Sequence, residues 1–328
     1  MPDAMSGSTV SAVIPTFKRP YLVLRAVRSA LAQTHKNLEV IVVIDGVDPV
    51  TRNELIGLAD PRVRVFETGE NAGACSARNM GIREAQGTWV ALLDDDDEWL
   101  PNKLQQQLEL LQREADTNCI AAARVIVRTP LRDFVWPDYP FQPREDISEY
   151  LLDRPTAIGR PGFIQTSSIL AHRSVFLAIP FQEDLEVHQD WTFVIEACRR
   201  QNVRIRFAWE PLSIYHFDPD GVSLSRHHGW EVSYLWAHRY RHLLTGSAFS
   251  AFILSKVAGK AKRQHSISGL AKCCWAAIFR GRIRMRHLAI FLGICVLPKS
   301  IIRRAAVKSF GTPITAGPQG FYSENEGK

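Results

Sequence analysis

The chain has 328 residues, 46% of them hydrophobic, enough to bury a sizeable core, and no run reaches eighteen uninterrupted apolar residues, so a membrane-spanning helix is not expected. The net charge of +6 is unevenly spread: Val232 to Ser323 holds fifteen Lys/Arg and no Asp or Glu, while the remainder holds 25 basic and 34 acidic residues, a net of −9. A mildly acidic body with a strongly basic C-terminal region calls for a partner. The six cysteines form no CxxC pair or zinc-like cluster, and most lie in apolar segments, which predicts free thiols in a reducing cytosol. MPDAMSGSTV has neither the basic nor the apolar region of a secretory signal, so a cytoplasmic protein is expected.

Strand and helix signals alternate through the first half. VSAVIP at Val10–Pro15 reads as a strand, followed by a helix over Tyr21–Gln33. EVIVVID (Glu39–Asp45) and RVRVF (Arg62–Phe66) are two further strands. A small-residue helix over Ala74–Ala85 leads into the strand TWVALLD, a helix over Pro101–Glu114 and the strand CIAAARVIVR (Cys119–Arg128). Strands that are nearly continuous in apolar residues and alternate with helices predict an α/β fold with a mostly parallel sheet covered on both faces. Thr129–Pro161, rich in Pro, Asp and aromatics, reads as irregular chain over the sheet edge. A second α/β stretch follows, with GFIQTSSILAHR, a helix over Asp190–Gln201, and RIRFA and LSIYHF as separate strands. Beyond Ser225 the pattern is helical up to a polar tail after Gly311. The expected organisation is a catalytic domain over residues 1–222, a basic helical region over 223–310 and a disordered tail over 311–328.

In such sheets ligands bind at the carboxyl ends of the strands. Asp45 and Asp94 each end a strand and should reach the same edge. Asp94 opens the run LLDDDDEWLP, which a helix N-terminus would explain in part, since acidic residues favour the positive end of the helix dipole and Pro101 suits a first turn. Four adjacent carboxylates exceed what capping needs. A strand end delivering alternate carboxylates to one side suits a hard divalent cation that bridges them to phosphates.

Three segments, VSAVIPTFKRPYLVLRAVRSALAQTHKNLEVIVVIDG, ENAGACSARNMGIREAQGTWVALLDDDDEWLPNKL and VHQDWTF, together resemble the family 2 glycosyltransferases with a GT-A (Rossmann-like) fold. The resemblance runs from Val10 to Val222 and implies inverting, metal-dependent (Mg²⁺ or Mn²⁺) transfer of a hexosyl-type group from a nucleotide-diphosphate sugar to an acceptor hydroxyl, in polysaccharide or lipid-linked glycan assembly. It places the Asp-x-Asp of the family within Asp94–Asp97. Asp96 becomes the metal ligand, Asp97 the alternative in another register, and Asp94 and Asp95 contacts to the donor. Pro15 and Thr16 would lie beside the nucleoside. Asp45 would take the base-contacting role alone, because Ile44 stands where the family commonly has a second acid. Arg78 would neutralise a carboxylate or phosphate, or its segment would simply pack closely through Gly73, Ala74 and Ala77. Asp190 would deprotonate the acceptor, cap its helix, or both; Gln189 replaces the usual Glu. His216 would ligate the metal or steady the diphosphate, or be structural.

Leu288–Leu297 is apolar all round yet too short to span a bilayer, and Arg280–Arg286 and Lys299–Lys308 flank it. This composition suits a helix lying on an anionic membrane surface, on the inner face of the cell membrane, or a helical subdomain packed on the catalytic domain. Base-stacking aromatics and nucleic-acid-binding motifs are absent, so no nucleic-acid partner is expected. Two rival readings are weaker. A sugar-nucleotide nucleotidyltransferase would have a Gly-rich loop where PTFKRP stands, and a catalytically silent membrane scaffold would not need the acidic residues.

Overall fold

A computed structural model describes residues 9–112, 117–217 and 228–297. The 222/223 boundary, Lys299–Lys308 and the polar tail lie outside the described residues.

Nine strands form one mixed sheet in the order β3-β2-β1-β4-β8-β6-β9-β5, with β7 also pairing β6. The strands are β1 Val10–Thr16, β2 Leu38–Ile44, β3 Val63–Glu67, β4 Trp89–Leu92, β5 Glu98–Trp99, β6 Cys119–Arg128, β7 Asp133–Trp136, β8 Leu170–His172 and β9 Arg204–His216. Six of them, β1 to β4, β6 and β9, run in one direction; β5, β7 and β8 oppose them. The mostly parallel α/β sheet expected from the sequence is present. Its central strands are buried on both faces, which is why β1 and β2 carry apolar residues with no polar alternation.

One face packs on α1 (Pro20–Leu31), α2 (Pro49–Ile56) and α4 (Lys103–Gln112), through Val23, Val27, Leu55, Leu104 and Leu108 against Ala12, Ile14 and Val42. The other packs on α3 (Ala74–Glu84), α5 (Ile147–Leu152), α6 (Arg173–Ala178) and α7 (Gln189–Arg200). Helix starts follow local chemistry: Pro20 and Pro49 occupy first turns, and the Asp48 carboxylate accepts from the Thr51 N–H.

Three expectations are corrected. RIRFA and LSIYHF form one strand, β9, whose pairing with β6 shifts register where Ala123–Val125 meets Pro211, since proline cannot donate to the ladder. Thr129–Pro161 is not wholly irregular: it contains β7, hairpinned on β6, and α5, capped by Asp146. Of GFIQTSSILAHR only Leu170–His172 is strand, preceded by a 3₁₀ turn at Thr166–Ser168.

The C-terminal region is α8 (Trp230–Arg239), α9 (Gly246–Phe252), a π-helical turn (Ile253–Val257), α10 (Ala258–Arg263), α11 (Ile267–Arg280) and α12 (Met285–Val296). Trp236, Phe249, Phe252, Val257 and Ala277 belong to the same buried cluster as Val13, Val90 and Phe193, so these helices share a core with the sheet. Among the described residues no helix is long and apolar enough to cross a membrane. All six cysteines are free.

Candidate active site

Parallel pairing of β1 with β2 and β4 brings Thr16, Asp45 and the residues after Leu92 to one edge. The acidic run does not start a helix, because β5 intervenes before α4. It is a tight turn between β4 and β5, closed by the Asp97 N–H donating to the Asp94 carbonyl at 3.1 Å. The turn sorts the four carboxylates. Asp95 and Asp97 are 6% and 0% exposed, while the Asp94 and Asp96 side chains are 24% and 43% exposed.

Each carboxylate has defined partners. Thr16 Oγ1 donates to Asp95 at 2.8 Å, and Arg19 reaches both Asp95 and Asp96 at 3.1 Å. Arg25 donates to the Asp96 carbonyl at 2.6 Å. Asp97 accepts from Gln165 and Ser167, both at 2.6 Å, and from the His216 N–H at 3.2 Å, so both of its oxygens are occupied. Burial, reinforced by Asp96, pushes Asp95 up to about 6 against the pull of Arg19; burial with Asp96 and Asp94 lifts Asp97 well above the carboxylate range. His216 directs Nε2 at Glu98 Oε1, 2.7 Å away. Pro15 is buried within β1, one residue before the Thr16 hydroxyl.

Asp45 organises a loop. Its oxygens accept from the N–H groups of Ala72 and Gly73 at 2.7 and 2.9 Å and from Thr68 Oγ1 at 3.2 Å. The chain that must turn here uses Gly46 and Gly73 at φ of 92° and 89°. Arg78, buried on α3, donates to Asp94 at 2.6 Å and to Gln189 Oε1 at 2.7 Å. One guanidinium therefore ties the acidic turn to the start of α7, where Asp190 stands. Asp190 accepts from the Trp191 N–H at 2.8 Å. Burial pushes it up to about 6, with Asp94 adding to the shift and Lys256 and Arg78 opposing it.

Arg19, Gln165 and Ser167 were not singled out from the sequence. Arg19 had a usable signal: it ends the loop after β1, at the binding edge, just before the helix-starting Pro20. Gln165 and Ser167 had none, because their contacts with Asp97 span 68 and 70 residues.

Residues 11–175 match glycosyl transferase family 2. The chain belongs to this family. It is 30% identical over 252 residues to the amylovoran biosynthesis glycosyltransferase AmsB of Erwinia amylovora, covering 74% of this chain and 80% of that protein. Further curated glycosyltransferases match 34% of this chain but only 18% of their own length. Among solved structures, S. aureus TarS 1-349 in complex with UDP-GlcNAc superposes with a TM-score of 0.57 at 15% identity, over 92% of this chain and 88% of that one. The mannosyltransferase PcManGT from Pyrobaculum calidifontis, in complex with GDP-Man and Mn²⁺, does so with a TM-score of 0.52 at 16% identity, over 92% and 87%. These likenesses establish the GT-A fold. The protein is thus a nucleotide-sugar glycosyltransferase of family 2.

Among the described residues no three His, Cys, Asp or Glu side chains converge as a complete metal cage. The donor set still fits Mg²⁺ or Mn²⁺. Such ions take hard oxygens, keep waters and complete their shell with substrate phosphates, needing only one or two carboxylates. Asp96, partly exposed at the turn, and Asp94 beside it could supply those.

Proposed function

We propose that this glycosyltransferase carries out metal-assisted, inverting transfer of a glycosyl group from a UDP-linked sugar to a carbohydrate hydroxyl in bacterial cell-surface polysaccharide assembly. The supporting observation is the Arg78 bridge, which ties Asp94 of the acidic turn to Gln189 at the start of α7, next to Asp190. The amylovoran relative and the UDP-GlcNAc complex support the polysaccharide and uridine assignments.

In this reading Asp94 and Asp96 form the diphosphate end of the site, with Asp96 holding the metal. Asp95 and Asp97, braced from behind, keep the turn in shape, and His216 supports it through Glu98. Thr16, Pro15 and the loop tied down by Asp45 wall the nucleoside seat. Bound there, Mg²⁺ or Mn²⁺ supplies positive charge that stabilises the departing diphosphate. Asp190 accepts the acceptor hydroxyl proton as that oxygen bonds to the anomeric carbon. The carbon–oxygen bond to the diphosphate breaks on the opposite face, its electron pair leaves with the nucleotide, and the configuration inverts.

Nucleotide release from UDP-sugars with Mn²⁺ tests the assignment. Asp96→Asn should lower turnover about 100-fold or more, the scale of losing one pre-organised charge contact; unchanged turnover would overturn it. Product anomeric configuration by NMR tests inversion.

The α11–α12 region carries exposed Trp275, Ile278, Phe279, Met285 and Leu292 together with exposed Arg280 and Arg282. This region supports a peripheral seat on an anionic membrane and a lipid-linked acceptor. Phe279→Ser with Leu292→Ser should reduce flotation with phosphatidylglycerol vesicles; equal flotation would remove the membrane seat.

A further inference from the structure

A cation outside the acidic turn stands near Asp190. Lys256 sits on the π-helical turn between α9 and α10, in the C-terminal helical region. A π turn inside an α-helical run changes the direction of the side chains it carries and recurs at functional sites. Here it lays the Lys256 ammonium 4.1 Å from the ring centre of Trp191, the residue that follows Asp190 in the chain, close enough for the Lys256 and Asp190 charges to influence each other. The platform is rigid. His188, at φ 61°, stacks on Trp191 at 4.9 Å and 6° and packs against Trp236 and Phe252. A non-glycine residue held in that backbone region marks a position fixed by its surroundings.

The Lys256 charge is poorly compensated. Its side chain is exposed, and among the described residues it forms no hydrogen bond or ion pair. Lys260 and Arg263 add positive potential at the same place, and the carboxylate that faces it is Asp190, which does not close an ion pair with it. The helices that carry it hold no acidic residue from Val232 onward, so this part of the chain has no counter-ion to offer. A solvent-facing ammonium among other cations, near the carboxylate proposed as the base, is a receptor for an anionic ligand.

We propose that Lys256 binds the phosphate of a phosphate-bearing acceptor, a glycosyl phosphate or diphosphate, and thereby sets which hydroxyl is presented to Asp190. The inference rests on the transferase reading above and deepens it by naming the acceptor class. The same ammonium chemistry would also hold a phosphate of the donor, so the test separates the two.

Calorimetry on the full chain supplies that test. UDP with Mn²⁺ is titrated first; then, with UDP saturating, geranyl monophosphate is titrated, with geraniol as the uncharged control. Wild type should bind geranyl monophosphate and prefer it to geraniol. Lys256→Gln should weaken that binding at least tenfold, Lys256→Arg should largely restore it, and UDP affinity should be equal in all three. Equal geranyl monophosphate binding by Lys256→Gln and wild type overturns the proposal, as does a matching loss of UDP affinity, which would assign Lys256 to the donor. Failure of wild type to bind UDP with Mn²⁺ is a different result: it would sink the proposed UDP-sugar and metal reading on which the acceptor assignment rests.

Discussion

Asp190 and Arg78 carry the sharpest residue-level expectations. With its carboxylate pushed up to about 6, Asp190 is ionised, as the proposed base must be, only above that pH. Transfer measured as kcat/KM should therefore fall about tenfold per pH unit below 6, and Asp190→Ala should lower it by roughly 100-fold or more across the profile. A profile flat down to pH 5 would move the base elsewhere. Arg78 is buried between Asp94 and Gln189, so Arg78→Met leaves a carboxylate without its partner. A loss of about 2–3 kcal/mol is expected in chemical denaturation, below the full value for a buried pair because Asp94 keeps some solvent contact. Of the site residues, Asp45 and Asp94 were legible in the sequence because they follow apolar runs that stop, and Thr16 was legible only through the family resemblance. Gln165 and Lys256 were not, because one stands on a short turn and the other on a helix whose register includes a π turn.

At the level of elements, α3 shows how composition becomes position. Gly81 lets the helix lie against β1 and β2, and a Cβ there would stand 2.5 Å from Val13 Cγ1 and 3.2 Å from Val43 Cγ2. Gly81→Ala should cost about 1–3 kcal/mol by overpacking, read as a lowered denaturation midpoint. It should weaken UDP binding as well, since Arg78 rides on the same helix. The extents of α1, α3 and α7 could be read from apolar spacing. β5, β7 and the join within β9 could not: two- and four-residue strands have too little pattern to register, and Pro211 splits a continuous strand into two apparent ones.

In the whole molecule, the helical region is held by a charge network as well as by its apolar core. Asp153, 3% exposed at the end of α5, accepts from Ser247, Arg284, Arg286 and His287. Burial opposes its charge, but the His287 and Arg286 hydrogen bonds outweigh that and hold it well below the usual carboxylate range. A depressed folded-state pKa contributes stability that is present above the unfolded value of about 4 and lost as pH falls through the folded one. Asp153→Asn should thus be clearly less stable than wild type at pH 7, and the gap should narrow as pH falls from about 5 toward 2. A gap independent of pH would show that the carboxylate charge does not stabilise the docked helices.

The sequence by itself determined the alternating α/β order, the edge at which the acidic residues gather and the basic, acid-free character of Val232–Ser323. Each of these follows from local periodicity or from charge counted along the chain. Only the tertiary structure decided which carboxylates of LLDDDDEW stay open, since the turn buries Asp95 and Asp97 against partners up to 119 residues distant. It also decided that the basic helices complete the core of the catalytic sheet. Burial and long-range pairing depend on which surfaces meet, and a one-dimensional pattern does not record that.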